Sequence, residues 1–294
     1  MSQLPPPFSH DGVLVIDKPP GLTSHAVVAA ARRALGERRI GHTGTLDPLA
    51  TGVLPLACGR ATRLVRFLTA SDKEYEATIR FGVTTDSYDI TGAETSRTGV
   101  APEANAVARG IAALTGSYLQ TPPAFSAKKI GGRRAYEMAR NATAVELTPV
   151  RVTVHRAELE LLDTDLARVR LTCSAGFYVR TFAHSLGELV GTGACLEALR
   201  RTRSGEFELQ QAIGMDQLAG GGAGDTIIPL DRLLQAVPAV PVAESDRARV
   251  SHGQEVDGNP AAEWVRLIDN SGHLLAMARA GSRPGLLHPT VVLI

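Results

Sequence analysis

The residue whose setting most invites chemistry is Asp47. It sits in Gly41-His42-Thr43-Gly44-Thr45-Leu46-Asp47-Pro48, which runs on into Leu49-Ala50-Thr51-Gly52. The following proline keeps Asp47 out of the helical region, and the glycines let another backbone or a ligand come close. An Asp in such a turn ordinarily accepts local amide hydrogen bonds. Freed from that duty, an ionised carboxylate can act as a nucleophile or a base. One reading is a phosphoaspartyl nucleophile, since Thr-Gly-Thr-Leu also occurs in the signature of P-type pumps. There the nucleophile and a Lys precede the Thr, whereas here His42 does, and no apolar run approaches the ~20 residues of a membrane span. That reading fails. A nearby Arg would hold Asp47 charged and fixed in direction, lowering its pKa. Taken alone, Arg180 in Gly176-Phe177-Tyr178-Val179-Arg180-Thr181 reads as a surface Arg at a helix start, where a cation opposes the helix dipole and a carboxylate partner would help explain it.

These residues need elements to position them. Val13 to Asp17 is a short apolar run stopped by Lys18-Pro19-Pro20-Gly21, a strand entering a turn. Thr23 or Ser24 then caps a helix through Leu35, with Gly36 as its stop. Glu74 to Val83 alternates, with Tyr75, Ala77, Ile79 and Phe81 on the apolar face, so Tyr75 belongs to a half-buried strand. Leu166 to Cys173 alternates too. After Gly176, the spacing of Val179, Phe182, Ala183, Leu186 and Val190 is helical, which puts Tyr178 and Arg180 at a helix start. Residues 120–148 are Pro-rich and then basic, and read as an insertion with a short helix near Arg134 to Arg140. Gly220 to Gly224 reads as a flexible connection. Trp264–Asp269 and His273–Arg279 flank Asn270-Ser271-Gly272 as a hairpin, and Pro289 to Ile294 adds a closing strand.

Composition narrows the class. The 294 residues are 44% apolar, enough for a sizeable core and against wholesale disorder. Net charge is +1, yet basic residues cluster at Arg32 to Arg39, Lys128 to Arg156 and Arg200 to Arg203, which points to a polyanion-binding side. Cys58, Cys173 and Cys195 are far apart, so buried thiols are expected rather than a zinc site or disulfides. The first residues read as a loose leader without a signal pattern, and a reducing cytoplasm is the expected location.

The stretch Gly41 to Pro55 resembles the signature of the TruB-type tRNA pseudouridine-55 synthases. Asp17-Lys18-Pro19-Pro20-Gly21-Leu22-Thr23-Ser24, Ser71-Asp72-Lys73-Glu74-Tyr75 and Gly176-Phe177-Tyr178-Val179-Arg180-Thr181 resemble three more motifs of that family, in its order. Ala198-Leu199-Arg200-Arg201-Thr202 resembles a further downstream segment. Ordered motifs of this length are far more specific than a lone glycine pattern. The resemblance implies an α+β pseudouridine synthase fold on a mixed, largely antiparallel sheet, with a thumb insertion and a small β-rich, PUA-like C-terminal domain. The divisions it implies are a leader at 1–10, a catalytic domain at 11–238 with its thumb at 120–148, and an RNA-binding module at 239–294.

The implied reaction breaks N1–C1′, turns the uracil, joins C5 to C1′ and removes the C5 proton, with no cofactor and no metal. By resemblance Asp47 is the catalytic carboxylate, Arg180 its partner, and Tyr75 stacks on the uracil and helps remove the proton. His42 supports the flipped nucleotide, and Tyr178 and Leu199 line the uracil pocket. Lys18, Lys129, Arg133 and Arg134 are expected on the RNA, while Asp89 matches a family position without a firm role. Residue types alone leave open whether Asp47 attacks C1′, attacks the base or abstracts a sugar proton. Phe125 and Lys128 depart from the family's usual Tyr and apolar residue, which bears on thumb docking. The implied partner is the T-arm stem-loop of tRNA, met by a monomer without a membrane. Two rivals are a guide-RNA-dependent rRNA pseudouridine synthase and a tRNA-binding or folding factor.

Overall fold

Alternation and capping translate into the elements that carry the site. The computed structural model describes residues 10–123 and 148–294, with the backbone of 129–130 and 133–134 between them. Its strands are β1 (Gly12–Lys18), β2 (Ile40–His42), β3 (Thr51–Cys58), β4 (Lys73–Phe81), β5 (Val83–Thr85), β6 (Glu94–Arg97), β7 (Gly116–Gln120), β8 (Lys129–Ile130), β9 (Arg133–Arg134) and β10 (Val150–Asp163). Then follow β11 (Leu166–Cys173), β12 (Ala194–Ser204), β13 (Phe207–Glu208), β14 (Ile228–Pro229), β15 (Ala239–Pro241), β16 (Val256–Asp257), β17 (Val265–Ile268), β18 (Leu274–Ala280) and β19 (Leu286–Val292). The α-helices are α1 (Ser24–Leu35), α2 (Val65–Thr69), α3 (Ala104–Ala113), α4 (Val179–Val190), α5 (Met215–Ala219) and α6 (Arg247–Ser251).

Ten strands form one sheet, ordered β14-β1-β3-β12-β4-β11-β10-β7, with β2 beside β3 and β13 beside β12. Its described pairings are antiparallel except β12 with β3, so the sheet is mixed and largely antiparallel, as expected. The parallel contact sets Arg201 opposite Gly52. Gly52 has φ 97°, and a Cβ there would lie 2.2 Å from the Arg201 carbonyl oxygen. Only glycine lets the two strands approach this closely, and that approach seats the β2–β3 connection, with Asp47, at mid-sheet.

The alternation of β4 holds: Tyr75, Ala77, Ile79 and Phe81 are buried, and α4 lays Phe182, Ala183 and Leu186 into the same core. The strand ends at Phe81 rather than Val83, because Gly82 turns with φ 77° and Val83 pairs with Arg97 in a separate ladder. Helix α1 begins where its cap was expected, the Thr23 hydroxyl accepting from the Ala26 amide, and stops at left-handed Gly36. The glycine-rich 220–224 stretch is less loose than expected. Its end forms a short 3-10 turn, Ala223–Thr226, with Ala223 buried against the core.

The C-terminal strands make a separate five-stranded sheet, β15-β17-β18-β19-β16. The expected hairpin is present as β17–β18, while the closing strand starts at Leu286, three residues before the expected Pro289. One apolar cluster joins this sheet to the main one, with Val13, Val15, Leu64 and Phe207 against Leu274, Met277 and Leu293. Arg60 and Arg63 donate to the backbone oxygens of Leu293 and Val292 across the same seam. The three cysteines are buried and free, and burial pushes their thiols up to about 12 at Cys58 and Cys173 and about 11 at Cys195. The helix expected near Arg134 to Arg140 and the leader up to residue 9 lie outside the described residues. Among the described residues, no helix is long and apolar enough to cross a membrane.

Candidate active site

The loop that carries Asp47 is tied down from several sides. Ser24, the first residue of α1, accepts from the Leu46 amide (2.9 Å) and donates to the Leu46 carbonyl (3.0 Å). The Gly21 amide donates to Pro48 O at 2.8 Å. Lys18 Nζ donates to Pro48 O at 3.3 Å, and also to Leu22 O at 2.7 Å and Pro19 O at 2.9 Å. From the sheet side, Arg201 Nη2 donates to Gly44 O at 3.1 Å. With its neighbours held by other groups, Asp47 is left to face Arg180.

Arg180 is nearly wholly buried at the first turn of α4. Its Nε lies 2.9 Å from one Asp47 carboxylate oxygen, and its Nη2 donates to the other at 3.4 Å. Its Nη1 donates to Ser87 O at 3.0 Å and lies 3.6 Å from the buried Asp89 carboxylate. Asp89 is itself fixed by the Ser87 hydroxyl (3.0 Å), the Thr91 amide (3.0 Å) and the Thr91 hydroxyl (2.5 Å). A guanidinium between two carboxylates offsets the unfavourable position of a cation at a helix N-terminus. Enclosure pushes the Asp47 carboxyl above its usual range. Arg180 and Lys18 pull it down, and Asp89 pushes it further up. The expectation that Arg180 would set the direction is corrected, because desolvation outweighs the pairing.

Asp47 and Arg180 lie on the wall of a cavity of about 370 Å³, with Tyr75, Tyr178, Leu199, Lys73 and Arg201. Tyr75 is buried on β4, and burial raises its hydroxyl pKa against the opposing pull of Arg201. Tyr178 caps α4, its backbone clamped by Gln120: the Tyr178 amide donates to Gln120 Oε1 (2.8 Å) and Gln120 Nε2 donates to Tyr178 O (3.1 Å). The cavity therefore offers aromatic and aliphatic walls with one held carboxylate, the form of a site for a flat, polar ring.

Two family domains match in tandem, the TruB family pseudouridylate synthase N-terminal domain over residues 32–179 and the tRNA pseudouridylate synthase B C-terminal domain over residues 180–237. The chain belongs to the TruB family of pseudouridylate synthases. It is thus an isomerase, a pseudouridine synthase. A tRNA pseudouridine synthase B from Solibacter usitatus is 46% identical over 293 residues, 96% of this chain and 100% of that one. Another from Symbiobacterium thermophilum is 47% identical over 255 residues, 83% of this chain and 82% of that one. Among solved structures, a Cbf5-Nop10-Gar1 complex aligns with a TM-score of 0.76 at 26% identity, covering 98% of this chain and 86% of that one.

Within this TruB-family site the structure brings together Asp47, Arg180, Tyr75, Tyr178 and Leu199. His42 lies on β2, off the cavity lining, with its ring edge-on to His25 at 5.3 Å. Lys18 was expected on the RNA and is instead fully buried, its ammonium spent on three carbonyls; burial lowers its pKa to about 8. Arg201 was grouped with a basic cluster expected on a polyanion-binding side. It is buried and bonds Val53 O and Gly44 O, while Arg200 on the other face of β12 pairs with Asp17. Lys73 was missed as a wall residue. Its Nζ donates to the backbone oxygens of Thr69 and Ser71, and burial lowers its pKa to about 8. The side chains of Lys129, Arg133 and Arg134 lie outside the described residues.

Proposed function

We propose that this synthase isomerises the T-loop uridine of tRNA, position 55, to pseudouridine, with Asp47 as the reacting carboxylate. The observation that carries this reading is the Asp47–Arg180 pair at 2.9 Å on the wall of a cavity that also holds Tyr75 and Tyr178. The uridine leaves its stack at a cost of a few kcal/mol. Tyr75 stacks on the uracil and helps take the C5 proton, Tyr178 and Leu199 border the ring, and His42 supports the flipped loop from its strand. Arg180 keeps the carboxylate aimed and opposes its protonation, and Lys18 holds the loop from below. Residues 11–238 act as the catalytic domain, with 120–148 closing over the stem-loop and 239–294 serving as a PUA-like module. The protein works as a monomer in the cytoplasm, without metal or cofactor.

A guide-dependent reading draws on the fold likeness to the Cbf5 complex. The tRNA reading is favoured by relatives named tRNA pseudouridine synthase B at 46% and 47% identity, against 26% for the complex. The test is turnover of an isolated T-arm stem-loop without guide RNA. Wild type is expected to convert it, and Asp47→Asn to bind it with similar affinity while losing at least about a thousand-fold in kcat. Wild-type turnover by Asp47→Asn would refute the assignment, and a requirement for guide RNA would favour the rival.

A further inference from the structure

The connection between β5 and β6 delivers two groups to Arg180, the Ser87 carbonyl and the Asp89 carboxylate, from either side of Tyr88. Tyr88 adopts φ 64°, a left-handed conformation that a bulky residue rarely takes. That conformation is what turns the neighbouring carbonyl and carboxylate onto one guanidinium. Its backbone is tied to β12, since the Leu196 amide donates to Tyr88 O and the Ile90 amide to Leu196 O, both at 2.9 Å. The Tyr88 ring lies flat on His184, with centroids 3.9 Å apart and planes 6° from parallel. His184 is on α4, four residues after Arg180, so the two project from the same side of the helix. The imidazole Nδ1 is buried without a hydrogen-bond partner among the described residues, so no described bond to that atom competes with the ring stack in orienting it.

We propose that Tyr88 and His184 are positioning residues: their stack holds the 86–93 connection in its strained form and thereby holds Arg180 on Asp47. This rests on the reading of Asp47 as the reacting carboxylate. Without the stack, the strained residue relaxes by turning the peptide between Ser87 and Tyr88. The turn withdraws the Ser87 carbonyl and loosens the guanidinium. Asp47, faced by Arg180, Lys18 and Asp89, then loses part of the pull that opposes its protonation.

The test compares four variants by kcat, KM and the pH profile of kcat on a T-arm stem-loop. His184→Ala, which suits a helix, and Tyr88→Ala, which keeps the strain and loses the ring, are expected to lower kcat roughly tenfold to a hundredfold. KM should stay within about twofold, and the acid limb of the profile should move to higher pH. Tyr88→Phe keeps the stack and should behave as wild type. Tyr88→Gly loses the ring but removes the strain, so it should recover part of what Tyr88→Ala loses. If Tyr88→Ala does not fold, His184→Ala decides. Wild-type kcat and an unmoved acid limb in His184→Ala, alongside an inactive Asp47→Asn, would overturn the proposal. Turnover by Asp47→Asn would instead remove the reading beneath it.

Discussion

Around Asp47 the protein interior is charged, while at the seam between the two sheets it is hydrocarbon. The first region buries Lys18, Lys73, Asp89, Arg180 and Arg201 within a few strands of one another. Desolvation lowers both lysines to about 8 and raises Asp47. The second packs Val13, Val15, Phe207, Leu274, Met277 and Leu293, with two arginines at its rim. Burying such side chains stabilises by about 1.5–3 kcal/mol each, whereas burying charges stabilises little even when they are well paired. The difference teaches where the fold gets its stability and where it gives some up. The seam helps hold the two sheets together, and the charged wall is kept for what it does.

The sharpest way to break that comparison is at the seam. Phe207→Ala should cost about 3–5 kcal/mol in denaturant unfolding, yet leave kcat per folded molecule unchanged, since Phe207 does not line the Asp47 cavity. A parallel loss of kcat would show that the seam also shapes the site. The next effect is smaller and mixed. Arg180→Met strands a buried Asp89 and a partly exposed Asp47. It should cost about 2–3 kcal/mol at neutral pH, below the usual range because Asp47 is screened. Protonation relieves the stranded Asp47, whose carboxyl burial already raises, so the deficit should narrow as pH falls from neutral into the acid range. A deficit that stays constant over that range would mean that lost packing, not charge, is responsible.

Much of the main sheet was legible in the sequence, and less of the charged wall. Alternation gave β4 and β11, and the apolar stripe gave α4, because one-sided burial imposes a period that a chain carries locally. The meeting of Asp47 and Arg180, 133 residues apart, has no local signature. Only the family resemblance joined them. Lys18 was expected on the RNA by resemblance, and Arg201 was grouped with a basic cluster that points to a polyanion-binding side. Each is instead consumed by backbone carbonyls distant in sequence, Lys18 by those of a turn and the Asp47 loop and Arg201 by those of β3 and the Asp47 loop, which no spacing announces. The Tyr88–His184 stack was illegible for another reason: nothing in Ser87-Tyr88-Asp89 marks the middle residue as left-handed, and glycine or asparagine would have been the signal.

The smallest effect bears most directly on the comparison. The Asp47 carboxyl is raised in the folded protein above its ordinary value in the unfolded chain. Its contribution to stability is therefore complete at low pH and is lost as pH rises through the folded value. Asparagine is neutral throughout and carries no such loss, while Arg180 keeps Asp89 and the Ser87 carbonyl. At about pH 8, Asp47→Asn should be at least as stable as wild type, by no more than about 1 kcal/mol once screening of the partly exposed carboxylate is allowed for. In acid, below the ordinary carboxylate range, the difference should vanish. Matched denaturant melts at the two pH values measure it. A clear loss of stability at about pH 8 would mean that pairing with Arg180 outweighs desolvation, and the charged wall would then support the fold as well as the chemistry.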